Sequence, residues 1–444
     1  MNRIMMTGTH SGCGKTTVTC ALLKALKKRG ISLSAFKCGP DYIDPMFHRS
    51  VLGISTHNLD PFFCDAEQLK QLIVNYAGNL SILEGAMGYY DGVGPEGCYS
   101  AYDVARETET PAVLVVDAKG MYASAGAVLK GFLEYRRQCG IQGVIFNNAS
   151  PMLYEGLGTI AKKVGVKPLG FLPSETKVQI ESRHLGLVTV GEIADMEQKI
   201  ALLGDLAEQY IDIEGVLALA ASAPPLDAPT ADCRPLGSVR IAVARDNAFC
   251  FMYEENLEML RARGCEIVFF SPLDDVTLPD YIGGLYLCGG YPELYAKALS
   301  GNATMLQSVN KAVLGGIPTI AECGGFLYLH DTLDGFPMVG AIHAEAYKTE
   351  KLRRFGYLTL HAKTDNLFCA QGGRIRAHEF HYYESTDCGT DFIAEKPLSA
   401  RSWPCIHATQ TLYAGFPHLY FDANPVFAEN FVGKAIQYAV RNLT

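Results

Sequence analysis

The sequence predicts two α/β domains in tandem, the first built on a parallel sheet. Three observations support this prediction. Short apolar runs alternate with amphipathic stretches of helical length, a glycine-rich loop follows the first apolar run, and a proline-rich stretch interrupts the alternation near the middle of the chain. Strands that alternate with helices are typical of a parallel sheet covered on both faces.

The first half of the chain contains five apolar runs that we interpret as short buried strands. They are NRIMMTG, LSAFKCG, LSILEGAM, AVLVVDA and QGVIFNN. Amphipathic segments separate these runs, and the first of them, KTTVTCALLKALKKRG, closes on Gly30. Glycine is a common helix C-terminal residue, so this segment is predicted to be a helix that ends there.

A change in composition marks the predicted domain boundary. Residues 221–238 are rich in Pro, Ala and Ser without helical or strand periodicity, and are predicted to be a linker between domains at 1–220 and 239–444. Beyond it, strands are predicted for VRIAVARD, EIVFFSP, IGGLYLCGG and PTIAEC, and a helix for YEENLEMLRARG. From about residue 335 the pattern is expected to be more irregular.

Composition narrows the class of protein. The 444 residues are 48% hydrophobic and 19% charged, as in an ordinary globular protein. The net charge of −9 argues against nucleic-acid binding, and no apolar stretch approaches the length of a signal peptide or a membrane span. The 14 cysteines stand singly, without a C-x-x-C pair, which indicates buried reduced thiols and a cytoplasmic location.

The loop TGTHSGCGKTT follows the first predicted strand and opens the first predicted helix. Its backbone N–H groups and the helix N-terminus would bind phosphate, Lys15 would reach the β- and γ-phosphates, and Thr16 would ligate Mg²⁺. Thr9 stands where the usual spacing has a first glycine. The alternative is a plain glycine-rich turn, but the strand–loop–helix context favours a P-loop NTPase-type domain that binds a nucleotide. The predicted nucleotide-binding residues are Gly12, Gly14, Lys15, Thr16, Thr17 and Asn147.

Acidic residues follow the next predicted strands, at the sheet edge where open α/β sheets bind ligands. Glu84 ends an apolar strand and is predicted to ligate the metal with Thr16, and Asp41 is a further candidate ligand. A solvated loop carboxylate is the alternative for each. Asn147 ends its strand and is predicted either to contact adenine or to cap the next turn. The remaining charged candidates at this edge are Lys37, Asp44, Asp91 and Asp117.

Cys323 stands between the apolar run PTIAE and two glycines that precede FLYLH. This strand–turn–helix layout is typical of a nucleophile elbow, and the helix N-terminus is expected to lower the thiol pKa. A cysteine nucleophile needs a base, for which His418 is the candidate among eleven histidines. The N–H groups at Gly289–Gly290 could form an oxyanion hole, or that loop could be a plain strand–helix turn.

With these residues in place, the chain resembles the cobyrinic acid a,c-diamide synthase family nearly from end to end. The resemblance rests on GTHSGCGKTT, FKCGPDYIDPMFH, LEGAMGYYDG, VVDAKGMYASAGAVLKGF, GFLPSE, ESRHLGLV, ARDNAFCFMYEENLEML, FFSPL, CGGYPEL, AECGGFLYL, RAHEFHYY and GFPHLYF. It implies an ATP-dependent amidation domain similar to dethiobiotin synthetase, followed by a class I glutamine amidotransferase α/β domain.

The resemblance also implies a reaction. Cys323 would release ammonia from glutamine with His418 as base and Gly290 in the oxyanion hole. ATP–Mg²⁺ would phosphorylate two acetate carboxylates of cobyrinic acid, and ammonia would then displace phosphate from each to give the amide. Asp41, Tyr42 and Asp91 would lie beside this corrinoid substrate. Hydrogenobyrinic acid and nickel-sirohydrochlorin stay open as substrates, as does a homodimeric state. A regulatory P-loop ATPase with a vestigial amidotransferase module is the alternative of another class.

The chain departs from the family pattern at two positions. Many class I amidotransferases carry a glutamate two residues after the catalytic histidine, where this chain has Tyr420, so a Cys–His dyad is expected and the group that orients His418 is left open. Ala377 replaces a usual glycine in RAHEFHYY. The three polar residues of that motif are expected either to line the site or to have core or capping roles: His378, Glu379 and His381.

Overall fold

The computed structural model describes residues 1–174, 190–228 and 234–442 of the chain, with side chains left out at 190–195. The chain divides into two compact units, Met1–Ala231 and Asp232–Thr444. The motif ESRHLGLV lies outside the described residues. All 13 described cysteines are free thiols. Within the same ranges, no helix is both long and apolar enough to cross a membrane.

The first unit contains a seven-stranded parallel sheet in the order β3-β2-β4-β1-β5-β6-β7. Its strands are β1 Asn2–Gly8, β2 Leu33–Cys38, β3 Thr56–Leu59, β4 Leu80–Glu84, β5 Ala112–Asp117, β6 Ile141–Asn147 and β7 Lys167–Leu172. The five predicted strands are present. The sequence did not indicate β3 or β7, because THNL has a single large apolar residue and KPLGFL contains proline and glycine, which usually interrupt strands.

Helices cover this sheet. They are α1 Lys15–Lys28, α2 Ile43–Leu52, α3 Ala66–Tyr76, α4 Ala101–Glu107, α5 Ser124–Glu134, α6 Pro151–Val164, α7 Val190–Tyr210 and α8 Ile213–Ala221. The first helix ends where glycine predicts it, since Gly30 adopts the left-handed φ of 74°. Val18, Leu22 and Leu26 of α1 are completely buried in the core of this unit.

The second unit is also α/β. Its strands are β8 Val239–Ala244, β9 Phe249–Phe251, β10 Cys265–Phe270, β11 Gly284–Leu287, β12 Gly289–Gly290, β13 Thr319–Glu322, β14 His330–Leu333, β15 Phe336–Pro337, β16 Ile342–Lys348, β17 Arg354–Ala362, β18 Arg374–His381, β19 Tyr383–Ser385, β20 Phe392–Glu395, β21 Ser402–Cys405, β22 His407–Ala408, β23 Leu412–Gly415 and β24 His418–Leu419. Its helices are α9 Glu254–Ala262, α10 Ala296–Gly301, α11 Ala303–Leu314, α12 Gly324–Tyr328 and α13 Pro425–Asn442, with 3₁₀ turns at Pro292–Tyr295 and Phe421–Ala423.

A six-stranded sheet in the order β10-β8-β11-β13-β23-β22 forms the centre of the second unit. It is parallel except for the β22–β23 pair. A five-stranded antiparallel sheet, β21-β20-β17-β18-β24, and a four-stranded sheet, β15-β14-β16-β19, occupy the region that the sequence predicts to be irregular. That expectation is wrong, because pairs such as β16 with β19 and β18 with β24 join segments that are far apart in sequence, which a local apolar pattern does not reveal.

The ends of the predicted linker pack on their own units. Helix α8 extends to Ala221, the first residue of the predicted linker, and β8 begins at Val239. On the first side, Arg3 donates a hydrogen bond to the carbonyl of Pro224 at 2.7 Å. On the second side, the N–H of Leu236 donates to the carbonyl of Arg263 at 2.9 Å. Residues 229–233 lie outside the described residues.

Candidate active sites

The phosphate loop lies at the carboxyl end of β1 and leads into α1. Gly12 and Gly14 have φ values of 83° and 97°, a backbone region that favours glycine. A Cβ at Gly14 would overlap the side-chain amide of Asn147, whose Nδ2 donates to the carbonyl of Cys13 at 3.2 Å. In this structure the Asn147 amide therefore packs against Gly14 and hydrogen-bonds the phosphate loop at Cys13. Its predicted contact with adenine stays a prediction.

The N-terminus of α1 is open to an anion. Its N-cap, Gly14, has no side chain to accept a hydrogen bond, and its first turn contains no acidic residue. The uncapped N–H groups and the helix dipole favour a phosphate here. Lys15 curls back over the loop and its Nζ donates to the carbonyl of His10 at 3.0 Å. Burial lowers the pKa of this amine. Thr17 lies half-buried in the same first turn.

A buried cluster of charged groups faces the loop from β2 and β4. Glu84 lies opposite Lys37 across the β2–β4 ladder, and Lys37 Nζ is 2.9 Å from Glu84 Oε1 and 2.5 Å from Asp44 Oδ2. Thr16 donates to the same Glu84 oxygen at 2.7 Å. Burial lowers the pKa of Lys37, but the charges of Asp44, Glu84 and Asp41 outweigh it and hold that pKa well above the usual value. The structure thus brings Thr16 and Glu84 together.

Asp41 and Tyr42 lie at the edge of this cluster. Asp41 Oδ2 is 3.9 Å from Lys37 Nζ, and Asp41 Oδ1 accepts from the N–H of Ile43 at 2.8 Å. Burial, followed by the charge of Asp44, raises the pKa of Asp41 to about 6. Tyr42 precedes α2 and is half-buried. Asp41 and Tyr42 thus lie between the carboxyl end of β2 and the start of α2.

Asp91 is an exposed residue of the loop that follows β4. Its Oδ2 accepts from the N–H of Gly88 at 2.9 Å, and the neighbouring N–H of Tyr89 donates to the carbonyl of Gly8 at 2.8 Å. The loop that carries Asp91 therefore contacts the phosphate loop. Asp117 has a local role instead, since its Oδ1 accepts from the N–H of Lys119 and from the amide of Asn148.

The residues around the loop fit a nucleotide with Mg²⁺. The open helix N-terminus suits phosphate oxygens, and Mg²⁺ prefers oxygen ligands such as the hydroxyl of Thr16 and a carboxylate. Glu84 Oε2 is buried without a hydrogen-bond partner, although Nε2 of His48 lies 3.6 Å from it, and this oxygen could serve as a ligand atom. Within the described ranges, no group of three or more His, Cys, Asp or Glu side chains could hold a metal alone. Phosphate oxygens would thus have to complete the coordination.

The second candidate site is a sharp turn at Cys323. Its φ of 47° is uncommon for a residue with a side chain, and the residue joins β13 to the five-residue helix α12. The N–H of Cys323 donates to the carbonyl of Gly415 on β23 at 2.8 Å. A Cβ at Gly325 would overlap the β11 backbone at Leu287, so only glycine fits there. The predicted strand–turn–helix geometry is present.

Gly290 and His418 both lie beside this turn. A Cβ at Gly324 would lie 2.9 Å from the backbone nitrogen of Gly290, and a Cβ at Gly289 would overlap Cε1 of His418. The imidazole of His418 is buried next to these glycines. Chain segments at 289–290, 323–324 and 418 therefore meet in one place, although long stretches of sequence separate them.

The sequence reasoning missed Glu322, the residue directly before the thiol. Its buried carboxylate lies 3.7 Å from Nδ1 of His418, and its two oxygens accept from the N–H of Leu419 at 3.0 Å and the hydroxyl of Tyr286 at 3.1 Å. Asn256 extends this network by donating to the carbonyl of Leu419 at 2.9 Å. A carboxylate that ends an apolar strand needs a buried partner, which is the signal that could have identified it.

The surroundings of the Cys323 thiol raise its pKa. Burial, followed by the charges of Glu293 and Glu379, raises the pKa of Cys323, while the N–H of Gly324 opposes them. This is opposite to the expected effect of the helix N-terminus, because burial and the charges of Glu293 and Glu379 outweigh the N–H of Gly324. Burial also raises the pKa of Glu293 to about 7. A base must therefore remove the thiol proton.

The polar residues of RAHEFHYY surround the same region. His378 lies opposite His418 across the β18–β24 ladder, and burial, followed by the charge of His418, lowers the pKa of His378 to about 3. His381 Nε2 is 2.9 Å from Glu379 Oε1, and both side chains are buried. His381 also stacks on Phe416 with ring centroids 3.8 Å apart.

Two family profiles match the chain. The CobQ/CobB/MinD/ParA nucleotide-binding domain matches residues 4–188, and the CobB/CobQ-like glutamine amidotransferase domain matches residues 240–426. A solved structure, PurLQS from Thermotoga maritima, is 16% identical and covers 47% of this chain and 100% of its own. Its TM-score of 0.33 is too low to support an argument.

Full-length relatives give a much closer match. The cobyrinate a,c-diamide synthase of Caldanaerobacter subterraneus subsp. tengcongensis is 37% identical over 426 residues, which cover 94% of each chain. The enzyme of the same name from Listeria innocua is 35% identical over 98% of this chain and 99% of its own. That from Thermoplasma volcanium is 36% identical over 98% of both. This chain therefore belongs to the cobyrinate a,c-diamide synthase family of amidating ligases.

Proposed function

We propose that this protein uses ATP and glutamine to amidate the a and c acetate carboxylates of cobyrinic acid, as a step of cobalamin biosynthesis. The relatives' name supports the substrate and the positions. The observation that carries the proposal is the presence, in one chain, of two sites with complementary chemistry. One is an open phosphate loop beside buried carboxylates, and the other is an elbow thiol beside a buried histidine.

Ammonia is released at the second site. His418 accepts the thiol proton of Cys323, and the sulfur attacks the carboxamide carbon of glutamine. The N–H groups at Gly290 and Gly324 would stabilise the oxygen that becomes negative. The C–N bond then breaks, the nitrogen takes the proton from His418 and leaves as ammonia, and water hydrolyses the thioester to glutamate. Glu322 orients His418 and stabilises its positive charge.

The carboxylate is activated at the first site. Transfer of the γ-phosphoryl group of ATP to an acetate oxygen gives an acyl phosphate and ADP, and ammonia then displaces inorganic phosphate to form the amide. The loop N–H groups and Lys15 bind the phosphates, and Lys37 offsets the charge of the neighbouring carboxylates. Mg²⁺, held by Thr16, Glu84 and Asp41 together with phosphate oxygens, would neutralise the charge of the transferred group.

The corrinoid substrate must bring its acetates to the γ-phosphate. Asp41, Tyr42 and Asp91 lie around the phosphate loop, and we propose that they contact the corrinoid substrate there. Since the substrate is amidated at two positions, each molecule consumes two ATP and two glutamine.

Mass spectrometry of reaction products tests this function. The purified protein is incubated with ATP, Mg²⁺ and glutamine, and with cobyrinic acid, hydrogenobyrinic acid or nickel-sirohydrochlorin in parallel. We expect two carboxyl-to-amide conversions on cobyrinic acid, each with one glutamate and one ADP formed. Amidation of another tetrapyrrole alone would overturn the substrate, and ATP hydrolysis without any amide would favour the regulatory ATPase.

A further inference from the structure

A wide concavity on the second unit is basic, and the mechanism above does not use it. It has a volume of about 650 Å³, which is within the range of small-molecule sites in proteins. Of the nine residues that line it, four are cationic and none is acidic. The cations of this basic concavity are Arg353, Arg354, Lys396 and Arg401. They are concentrated in one place on a chain whose net charge is −9.

The basic concavity lies between the start of β17 and the turn that joins β20 to β21. Strand β17 pairs with β20 only from Thr359 onward, so its first residues have the turn at 396–401 beside them instead. The N–H of Lys396 donates to the carbonyl of Arg401 at 2.9 Å and closes this turn. The side chain of Lys396 reaches back to β17, where its Nζ donates to the carbonyl of Tyr357 at 3.1 Å. The fold thus holds two groups of cations on facing segments.

Most of this positive charge is not neutralised by the protein. Arg353 is paired, since its Nη2 lies 2.7 Å from Oε2 of Glu384. Glu395 precedes one of the cations in sequence, but its Oε2 lies 3.0 Å from Nε2 of His361. In the part of the chain that the structure describes, three of the four cations have no carboxylate within ion-pair distance. They are Arg354, Lys396 and Arg401.

These cations are close enough to repel one another. Burial lowers the pKa of Lys396, and the charges of Arg401 and Arg354 lower it further, whereas Glu379 opposes them. Glu379 lines only an inner cavity of about 10 Å³, which is enough for about one water molecule. Its carboxylate therefore does not fill the basic concavity. An anion bound there would reduce the repulsion between the cations.

Apolar side chains lie among the cations. The guanidinium of Arg354 lies 4.4 Å from the ring centroid of Trp403. Leu352 and Phe355 also line the concavity, and both are exposed. The ring of Phe355 lies 5.7 Å from that of Phe380, which is exposed as well. A ligand that carries several anionic groups around an apolar ring would therefore find partners for both parts.

The first unit offers few free cations to such a ligand. Lys37 is buried and lies 2.9 Å from Glu84, and Lys15 is assigned to the phosphates of ATP. Asp41 and Asp91 are acidic and would repel carboxylates. Tetrapyrrole acids such as cobyrinic acid carry carboxylates besides the acetates that react. On a protein of net negative charge, those further carboxylates need positive partners elsewhere.

We propose that the basic concavity binds the tetrapyrrole substrate through carboxylates that are not amidated. Arg354 and Arg401 bind these carboxylates, and Phe355 and Trp403 contact the ring. The identity of the ligand rests on the proposed function. Because the reacting acetate is activated at the phosphate loop, the concavity contributes to capture and affinity and not to the chemical step. A local positive field raises the rate at which a negatively charged protein binds an anion.

A nucleotide is the other ring-bearing polyanion that this protein is proposed to bind. Its phosphates are clustered at one end, and proteins bind such a cluster with the N–H groups of a glycine-rich loop or a helix N-terminus. No helix begins among the residues that line the basic concavity. Its cations stand instead on two facing segments, which matches carboxylates spread around a ring.

The double variant Arg354→Met with Arg401→Met tests the proposal in the full chain. We expect it to raise the KM for cobyrinic acid about 10-fold at low ionic strength. The KM values for ATP and for glutamine should stay within about twofold, because the variant removes no residue assigned to either site. At about 0.5 M salt, where charges are screened within a few ångströms, the difference from the unchanged protein should largely disappear.

The matched control removes two positive charges elsewhere. Arg106 and Arg261 are surface cations that already pair with Glu107 and Glu258. The double variant Arg106→Met with Arg261→Met should keep the KM for cobyrinic acid within about twofold. Arg401→Met alone changes an exposed side chain and should raise that KM about threefold, which keeps the test valid if the first double variant folds poorly.

Three results would overturn the proposal. If the control raises the KM for cobyrinic acid as much as the first double variant does, the effect comes from net charge alone. A raised KM for ATP with an unchanged KM for cobyrinic acid would assign the concavity to a nucleotide. If the first double variant changes the sedimentation coefficient and not the KM for cobyrinic acid, the concavity joins two copies of the chain.

Calorimetry separates a failure of this proposal from a failure of the proposed function. Cobyrinic acid is titrated into each protein without ATP or glutamine, so that no turnover is needed. Salt-dependent binding that the first double variant weakens about 10-fold, without any amide formed by the unchanged protein, would contradict the proposed function alone. Amide formation by the unchanged protein, with equal binding in both proteins, would contradict the assignment of the concavity alone.

Discussion

Replacing Glu322 with glutamine removes one negative charge from beside His418 and keeps the shape of the side chain. The remaining carbonyl oxygen can still accept from the N–H of Leu419, which the native carboxylate does at 3.0 Å. The amide nitrogen can meet the hydroxyl of Tyr286 as a donor. We therefore expect the fold to persist and the glutaminase reaction to slow.

The distance between Glu322 and His418 sets the size of the expected loss in kcat. Glu322 Oε2 lies 3.7 Å from His418 Nδ1, and both side chains are at most 3% exposed. At an effective dielectric constant of about 20, a carboxylate and an imidazolium at roughly this distance attract by about 4 kcal/mol. His418 becomes an imidazolium only during the reaction, so the loss falls on the transition state. Allowing for local relaxation, we expect about 2–4 kcal/mol, or about 30- to 1000-fold in kcat.

The assay compares two nitrogen sources. Glutaminase activity is followed as glutamate formation, and amidation is measured in parallel with external ammonia, which bypasses Cys323 and His418. Glu322→Gln should reduce glutamate formation by about 30- to 1000-fold and leave amidation with external ammonia within about twofold. Tyr286→Phe is the matched control, because it removes a hydrogen bond to the same carboxylate without changing its charge, and should cost less than about tenfold.

Full glutaminase activity in Glu322→Gln would refute the reasoning, since Glu322 is the residue that we expect to stabilise the imidazolium of His418. Equal losses with glutamine and with ammonia would also refute it, because they would indicate damage to the fold and not to the orientation of His418. Circular dichroism and the melting temperature of each variant separate these cases.

The remaining predictions concern the division of labour and the effect of pH. Cys323→Ala should abolish amidation with glutamine and retain it with ammonia, whereas Lys15→Ala should abolish both; surviving ammonia-dependent turnover in Lys15→Ala would contradict the phosphate-loop assignment. Because burial and the charge of Asp44 raise the pKa of Asp41 to about 6, its carboxylate is neutralised as the pH falls through that value. Mg²⁺-dependent ATP binding, measured by calorimetry, should therefore weaken below about pH 6, and Asp41→Asn should bind weakly at every pH; unchanged binding down to pH 5 would exclude Asp41 as a ligand.

The parts of the two sites whose local geometry could be predicted are short segments in which a strand, a tight turn and a helix follow each other. Lys15 and Thr16 lie in one such segment, and Cys323 lies in the other. Turn chemistry of this kind is encoded within about ten residues, because the glycines and the adjacent apolar run are neighbours in sequence. The elbow geometry at Cys323 could therefore be predicted before any long-range contact was known.

The parts that the sequence did not reveal depend on contacts between distant segments. Among the strands after residue 330, β16 pairs with β19 and β18 pairs with β24, which lie far along the chain, and their half-buried pattern is weak within any one window. The expected low pKa of Cys323 was wrong for the same reason, since burial and the charges of Glu293 and Glu379 come from the surrounding fold.

The sequence alone determined the two α/β units, the phosphate loop and the sharp turn at Cys323, because local spacing fixes strands, turns and helix starts. Only the tertiary structure decided which groups surround those elements. Glu322 and Leu419 are 97 positions apart and yet share a hydrogen bond, and His378 lies opposite His418 only because β18 and β24 pair. Charges on residues that are distant in sequence interact through space. The fold, and not the order of the residues, sets the distance between those charges.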